Sequence, residues 1–130
     1  MKLLFVCVEN AGRSQMAEAF VKHYGKSEVE AISAGTNPSS EVNPVVVDVM
    51  REREIDISKS RPKSLNAEMI QDAEIIVVMG CGAQGFCPAP LLKKVVKWEL
   101  EDPKGKPKEK VRQIRDEIER KVKKLIAKSN

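Results

Sequence analysis

The chain has 130 residues, of which 42% are hydrophobic, 32% charged and 4% aromatic. That is the length of one domain, 1–130, with enough apolar residues for an ordinary core. Its longest apolar run, Leu3 to Val8, is too short to span a bilayer, and so few aromatics leave no stacking platform for nucleic acid.

The net charge of +4 is unevenly placed. Residues 1–103 hold twelve basic against fifteen acidic residues, and residues 104–130 hold eleven against four. The basic character belongs to the last segment, not to a general nucleic-acid surface. No cationic start with a long apolar stretch and a small-residue cleavage site is present, so the cytoplasm is the expected compartment.

Lys2 to Val8 is a strand pattern buried on both faces, interrupted by Glu9-Asn10-Ala11-Gly12. Ser14 to Tyr24 reads as a helix with Met16, Ala17, Phe20, Val21 and Tyr24 on one stripe, stopped by Gly25. Glu28 to Ser33 is a second strand, closed by Ala34-Gly35. A loop from Pro38 leads to a helix over Val45 to Glu54, with Pro44 suited to its first turn. Ile55 to Pro62 is irregular. Asn66 can cap a short helix through Gln71. Ala73 to Met79 is a third strand and Val95 to Trp98 a shorter fourth. The longest helix runs from Pro107 or Lys108 to Lys128, its apolar residues from Val111 to Ile126 stepping by three or four. Lys110, Arg112, Lys121, Lys123 and Lys124 then form a solvated face, with Glu117–Lys121 and Glu119–Lys123 at pairing distance along the helix. Strands separated by helices indicate an α/β domain with a parallel sheet and helices on both faces.

The chemistry concentrates at the end of the first strand, in Cys7-Val8-Glu9-Asn10-Ala11-Gly12-Arg13-Ser14. Ligands of such sheets collect at the carboxyl ends of the strands. A loop wrapping into a helix N-terminus aims successive backbone N–H groups at one spot, where they can hold an oxyanion. Val8, Glu9, Asn10, Ala11, Gly12 and Arg13 supply that cradle, and Arg13 can grip two oxygens at once. Cys7 lies at its floor. The positive surroundings and a hydrogen bond from Ser14 favour the thiolate, the nucleophilic form. Asn10 can stabilise a left-handed turn within the loop. Asp102, in a loop, can protonate a leaving oxygen if it is held near the anion; taken alone it reads as a solvated carboxylate. Trp98 reads as a packing anchor.

The chain has three cysteines, an odd number that argues against a disulfide framework. Cys81 and Cys87 follow the third strand, among Gly80, Gly82 and Gly85, at the same sheet edge as Cys7. Inert thiols, a metal site and a disulfide relay all remain open; zinc is disfavoured because four ligands are usual and His23 falls within the first helix.

Cys-x5-Arg-Ser after the first strand, with Asp102-Pro103 near the other end, resembles the low-molecular-weight protein tyrosine phosphatase superfamily. The resemblance implies a four-stranded parallel sheet in three layers, with Asp102 as general acid. The added Cys81 and Cys87 resemble the thioredoxin-coupled arsenate reductases of that superfamily. This implies that Cys7 attacks arsenate, Cys81 then attacks Cys7 and Cys87 attacks Cys81, with thioredoxin restoring the thiols. It implies no organic cofactor or metal, an arsenate or phosphate oxyanion as substrate, and a monomer with no nucleic-acid or membrane partner.

Three residues or segments depart from the family pattern. Five residues separate Cys81 from Cys87, where well-known members have six. Glu9 puts an acid inside the anion loop, where it either points away from the oxyanion or weakens its binding. Some of the reductases bind potassium through a carboxylate near the position of Lys63. Here either the Lys63 ammonium takes the ion's place, beside Asn10, Glu18 and Ser33, or it is plain solvated charge. Two rival readings stand beside the reductase. A phosphotyrosine phosphatase is disfavoured because Lys104-Gly105-Lys106, not aromatic residues, follow Pro103. A non-enzymatic anion- or nucleic-acid-binding module would not depend on the Cys7 thiol.

Overall fold

A computed structural model describes residues 1–79 and 94–128. The elements in chain order are β1 (Lys2–Cys7), α1 (Arg13–Tyr24), β2 (Glu30–Gly35), α2 (Pro44–Arg51), α3 (Ala67–Asp72), β3 (Ile75–Met79), β4 (Lys94–Trp98) and α4 (Lys108–Lys128). The four strands form one parallel sheet in the order β2-β1-β3-β4. The α/β class, the strand count and the helix order agree with the sequence reading. No helix among the described residues is long and apolar enough to cross a membrane.

Side chains alternate across a strand, and β1 shows why its run is apolar throughout. Leu3, Phe5 and Cys7 face one layer with Val77 and Met79 of β3, under the buried faces of α1, α2 and α4. Leu4 and Val6 face the opposite layer with Ile76 and Val78, covered in part by Leu65 and by Met69 and Ile70 of α3. Helices therefore lie on both faces. The α4 stripe of Val111, Ile114, Ile118, Val122 and Ile126 is buried as its spacing requires. Trp98 is buried against Phe5, with ring centroids 5.8 Å apart.

Several ends shift from expectation for local reasons. β2 begins at Glu30 rather than Glu28, and β3 at Ile75 rather than Ala73. Asn43 caps α2 through a bond from the Val45 amide at 2.9 Å, and Asn66 caps α3 in the same way through Met69. The α2 end is a Schellman turn. Ile55 N–H donates to the Met50 carbonyl, Glu54 N–H donates to the Arg51 carbonyl, and Glu54 takes φ = 61°. The irregular segment from Ile55 starts from that turn.

The outer face of α4 is less solvated than its composition suggests. Lys110, Arg112 and Lys121 are half-buried. Arg115 is buried, donating to the Val49 carbonyl at 2.9 Å, Glu52 Oε1 at 2.7 Å and Asp116 Oδ1 at 2.8 Å. Arg112 grips both oxygens of Glu52, and Arg53 reaches Asp116 and Glu119. Lys123 lies 4.0 Å from Glu119, as the spacing implied. Lys121 lies over the Trp98 ring. Exposed pairs of this kind are each worth little, but the bidentate Arg112 and the buried Arg115 give this network fixed geometry.

Hydrogen bonds from Arg112, then Arg115, hold the Glu52 carboxyl at about 2, against its ordinary 4.5. A carboxyl lowered on folding stabilises fully above its ordinary value, and that contribution is lost as pH falls through the folded value. Glu52→Gln is therefore expected to lose stability less steeply than the parent between pH 4.5 and 2, as followed by denaturant unfolding at stepped pH.

Candidate active site

The segment between β1 and α1 is a turn whose carbonyls all point outward. The carbonyls of Cys7, Val8, Glu9 and Ala11 accept the amides of Thr36, Asn37, Ser39 and Asn43 at 2.8–3.1 Å. The Asn10 carbonyl accepts Gln15 Nε2, and the Gly12 carbonyl accepts the Met16 amide. With every carbonyl from Cys7 to Gly12 turned away, the amides are left to face inward. Those of Glu9, Ala11, Gly12 and Arg13 donate to no protein acceptor among the described residues. The α1 N-terminus has no side-chain cap, so its first-turn donors add to the same spot.

Asn10 is the keystone of this turn. It is fully buried, with φ = 52°, a left-handed conformation that Asn tolerates better than most residues. Its Oδ1 accepts the Lys63 amide at 2.8 Å and Gln15 Nε2 at 3.0 Å. The backbone donor at Lys63 fixes which end of the Asn10 amide is oxygen, so Nδ2 faces Ser14 Oγ at 2.8 Å. Ser14 thus accepts from Asn10 and keeps its own hydrogen for Cys7 Sγ, 2.7 Å away. The Asn10 backbone N–H also donates to that sulfur, at 3.3 Å.

Arg13 is buried and faces the segment before α4. Its Nη1 donates to the Leu100 carbonyl at 3.1 Å, and Nη2 lies 3.7 Å from Asp102 Oδ2. Asp102 is exposed, and its Oδ1 accepts the Lys104 amide at 3.0 Å. Pro103 sits directly on Gly12, where any Cβ would come within 2.7 Å of the proline ring. Cys7, Arg13 and Asp102 line one cleft of about 320 Å³, together with Glu41 and Asn43. The structure thus brings together Cys7, Arg13, Ser14 and Asp102, with the loop residues Val8 to Gly12 wrapped around the floor. The Glu9 side chain turns to Lys104, with Oε2 3.0 Å from Nζ, and this bond holds the Lys104 ammonium above its ordinary range. Cys81 and Cys87 lie outside the described residues.

Lys63 is not plain solvated charge. Its Nζ is 3.5 Å from Glu18 Oε1, which also accepts Ser33 Oγ at 2.6 Å. Burial works to raise the Glu18 carboxyl, but bonds from Lys22 and Ser33 and the Lys63 charge outweigh it and hold it low. Among the described residues, no three His, Cys, Asp or Glu side chains are grouped to hold a metal ion.

A family profile described as low molecular weight phosphotyrosine protein phosphatase matches residues 2–130. The chain belongs to that family. It is 37% identical over 126 residues to a putative arsenate reductase of Halobacterium salinarum, covering 93% of this chain and 87% of that one. It is 35% identical to a glutaredoxin arsenate reductase of Synechocystis, over 98% of this chain and 97% of the other. A thioredoxin-dependent arsenate reductase of Corynebacterium glutamicum superposes with a TM-score of 0.81 at 37% identity; the match covers 98% of this chain and 60% of that one.

Several residues of this phosphatase-family site escaped the sequence reading. Gln15 ties Asn10 to the Arg61 carbonyl, and its only signal is its place directly after Arg13-Ser14. Asn43 both caps α2 and binds the Ala11 carbonyl. Gly35 ends β2 where a Cβ would lie 2.5 Å from the Val8 carbonyl oxygen and 3.0 Å from the Asn10 nitrogen. Both neighbours are backbone of the anion loop and have little room to yield. Gly35→Ala is therefore expected to cost about 1–3 kcal/mol of stability in urea denaturation. Its affinity for inorganic phosphate, measured by calorimetry, should fall by about tenfold or more, since each 1.4 kcal/mol is a factor of ten.

Proposed function

We propose that this protein is an arsenate reductase working by a three-thiol relay, with Cys7 as nucleophile. The observation that carries the reading is the parallel pairing of β1 with β3. It puts Met79 at the carboxyl edge beside the strand that ends in Cys7, and Cys81 follows only two residues later in sequence. A phosphatase needs one thiol and then water. A second thiol this close in sequence to the end of β3 suits thiol–disulfide exchange. The names carried by the relatives above support the same reading.

In the first step the Cys7 thiolate attacks arsenic. A sulfur–arsenic bond forms, an arsenic–oxygen bond breaks, and the oxygen leaves as water with a proton from Asp102. The loop amides and Arg13 hold the remaining oxygens as charge shifts among them. Cys81 thiolate then attacks Cys7 Sγ. A disulfide forms, and the sulfur–arsenic electron pair stays on arsenic, which departs as arsenite. Two thiols have been oxidised and arsenic reduced by two electrons. Cys87 attacks Cys81, freeing Cys7, and an external dithiol of the thioredoxin kind reduces the Cys81–Cys87 disulfide. The Ser14 hydroxyl, held by Asn10, serves both when Cys7 attacks and when it leaves, because each stage places negative charge on its sulfur. The Lys63 ammonium against Glu18 supplies the positive charge that potassium supplies in some reductases, and Lys63 N–H steadies Asn10 directly.

Arsenate turnover coupled to thioredoxin, thioredoxin reductase and NADPH tests the relay. Cys7→Ser, Cys81→Ser and Cys87→Ser are each expected to abolish coupled turnover. Aryl phosphatase activity should vanish only in Cys7→Ser. Full coupled turnover by Cys87→Ser would exclude the relay. Replacing sodium by potassium at constant ionic strength is expected to leave the rate nearly unchanged, and a steep potassium dependence would remove Lys63 from this role.

A further inference from the structure

An acid inside an anion-binding loop opposes the binding the loop performs, unless its charge is taken up elsewhere. Glu9 is such an acid. Its carboxylate accepts from Lys104, 95 residues away, and both residues line the cleft. Lys104 is doubly engaged. Its ammonium holds Glu9 at 3.0 Å while its backbone N–H holds Asp102 Oδ1, also at 3.0 Å. One residue thus joins the rim of the anion loop to the carboxylate placed to deliver a proton.

Other contacts dock the same segment, among them Lys110 of α4 at 3.2 Å from Glu101 and Arg13 Nη2 at 3.7 Å from Asp102 Oδ2. Arg13 holds the Leu100 carbonyl, and Pro103 rests on Gly12. Arg13, Gly12 and Pro103 are all buried. The Glu9–Lys104 pair holds the residue that follows Asp102-Pro103. It is partly exposed, with Lys104 at 70% and Glu9 at 34% exposure. A pair this wet is weak, so it biases the segment without locking it, and it can open in each turnover.

We propose that Glu9 and Lys104 form a clasp that positions Asp102 over the anion loop and cancels the repulsion between Glu9 and the bound oxyanion. Glu9 and Lys104 are positioning residues, and their role rests on Asp102 acting as general acid. The clasp has a signature that mere structural support lacks. Removing either partner loosens Asp102 and lowers kcat where the leaving oxygen needs a proton. The two removals move KM in opposite directions. Glu9→Gln takes a negative charge from the loop, so KM falls. Lys104→Met leaves Glu9 uncompensated, so KM rises.

The test uses the aryl phosphatase reaction of the full chain, with phenyl phosphate as the poor leaving group and 4-nitrophenyl phosphate as the good one. Glu9→Gln and Lys104→Met are each expected to lower kcat on phenyl phosphate by about two- to fivefold, the range an exposed pair supports. The effect on 4-nitrophenyl phosphate should be smaller. KM should split in the two directions given, and the charge-swapped Glu9→Lys/Lys104→Glu protein should recover kcat. Asp102→Asn is run alongside. If it slows phenyl phosphate while both single variants keep the parent kcat, or if the swap recovers nothing, the clasp is overturned and the general acid stands. If Asp102→Asn leaves phenyl phosphate turnover intact, the general-acid reading falls and the clasp with it.

Discussion

Six consecutive carbonyls turned outward are the constraint on which the site depends. From Cys7 to Gly12, each is bound by a donor behind the loop, four of them backbone amides between Thr36 and Asn43. A peptide whose carbonyl points out points its N–H in, so a ring of donors forms with no further side-chain machinery. The charge it collects is partial and fixed, and costs no reorganisation when an oxyanion arrives. The arrangement needs one left-handed residue to close, and Asn10 supplies it while wiring Ser14 to the Cys7 sulfur.

The rest of the fold holds that ring still. The parallel ladder fixes where β1 ends, and β2 returns the chain so that residues 36–43 pass directly behind the loop. Asn43 joins the two jobs, ending that return by capping α2. Further out, Arg115, Glu52, Arg112, Arg53 and Glu119 tie the end of α2 to α4. No buried side-chain nitrogen or oxygen among the described residues is left without a partner. That completeness matters here because an unpaired buried group such as Arg115 would cost more than its pairing returns. The Asp102 segment is held differently, by Arg13, by the contact of Pro103 on Gly12, and by partly exposed ion pairs from Lys104 to Glu9 and from Lys106 and Lys110 to Glu101.

Local chemistry explains which features the sequence reading reached. The strand and helix periods are set by burial of one face or two, and they survive any tertiary detail. Cys7, Arg13 and Ser14 were legible because strand, loop and helix follow one another within a dozen residues, so covalent connectivity places them. Asn66 and Pro44 were legible for the same reason. Glu9 was legible only as a conflict, since its partner lies 95 residues away. Gly35 was legible only as the close of a strand, because its close approach is to the backbone of another segment. Arg115 was not singled out in the sequence, because its burial comes only from the packing of α2 on α4.

The sequence by itself determined the alternation of strands and helices, the buried face of α4 and the spacing of Cys7 from Arg13. All of these follow from contacts between near neighbours or from a repeat that burial enforces. Tertiary structure alone decided which amides stay free, where the Glu9 carboxylate points and how Asp102 comes to Arg13. Those outcomes depend on strand order and register, which bring residues 7–13, 35–43, 63 and 100–104 to one edge of the sheet. No local preference encodes that meeting.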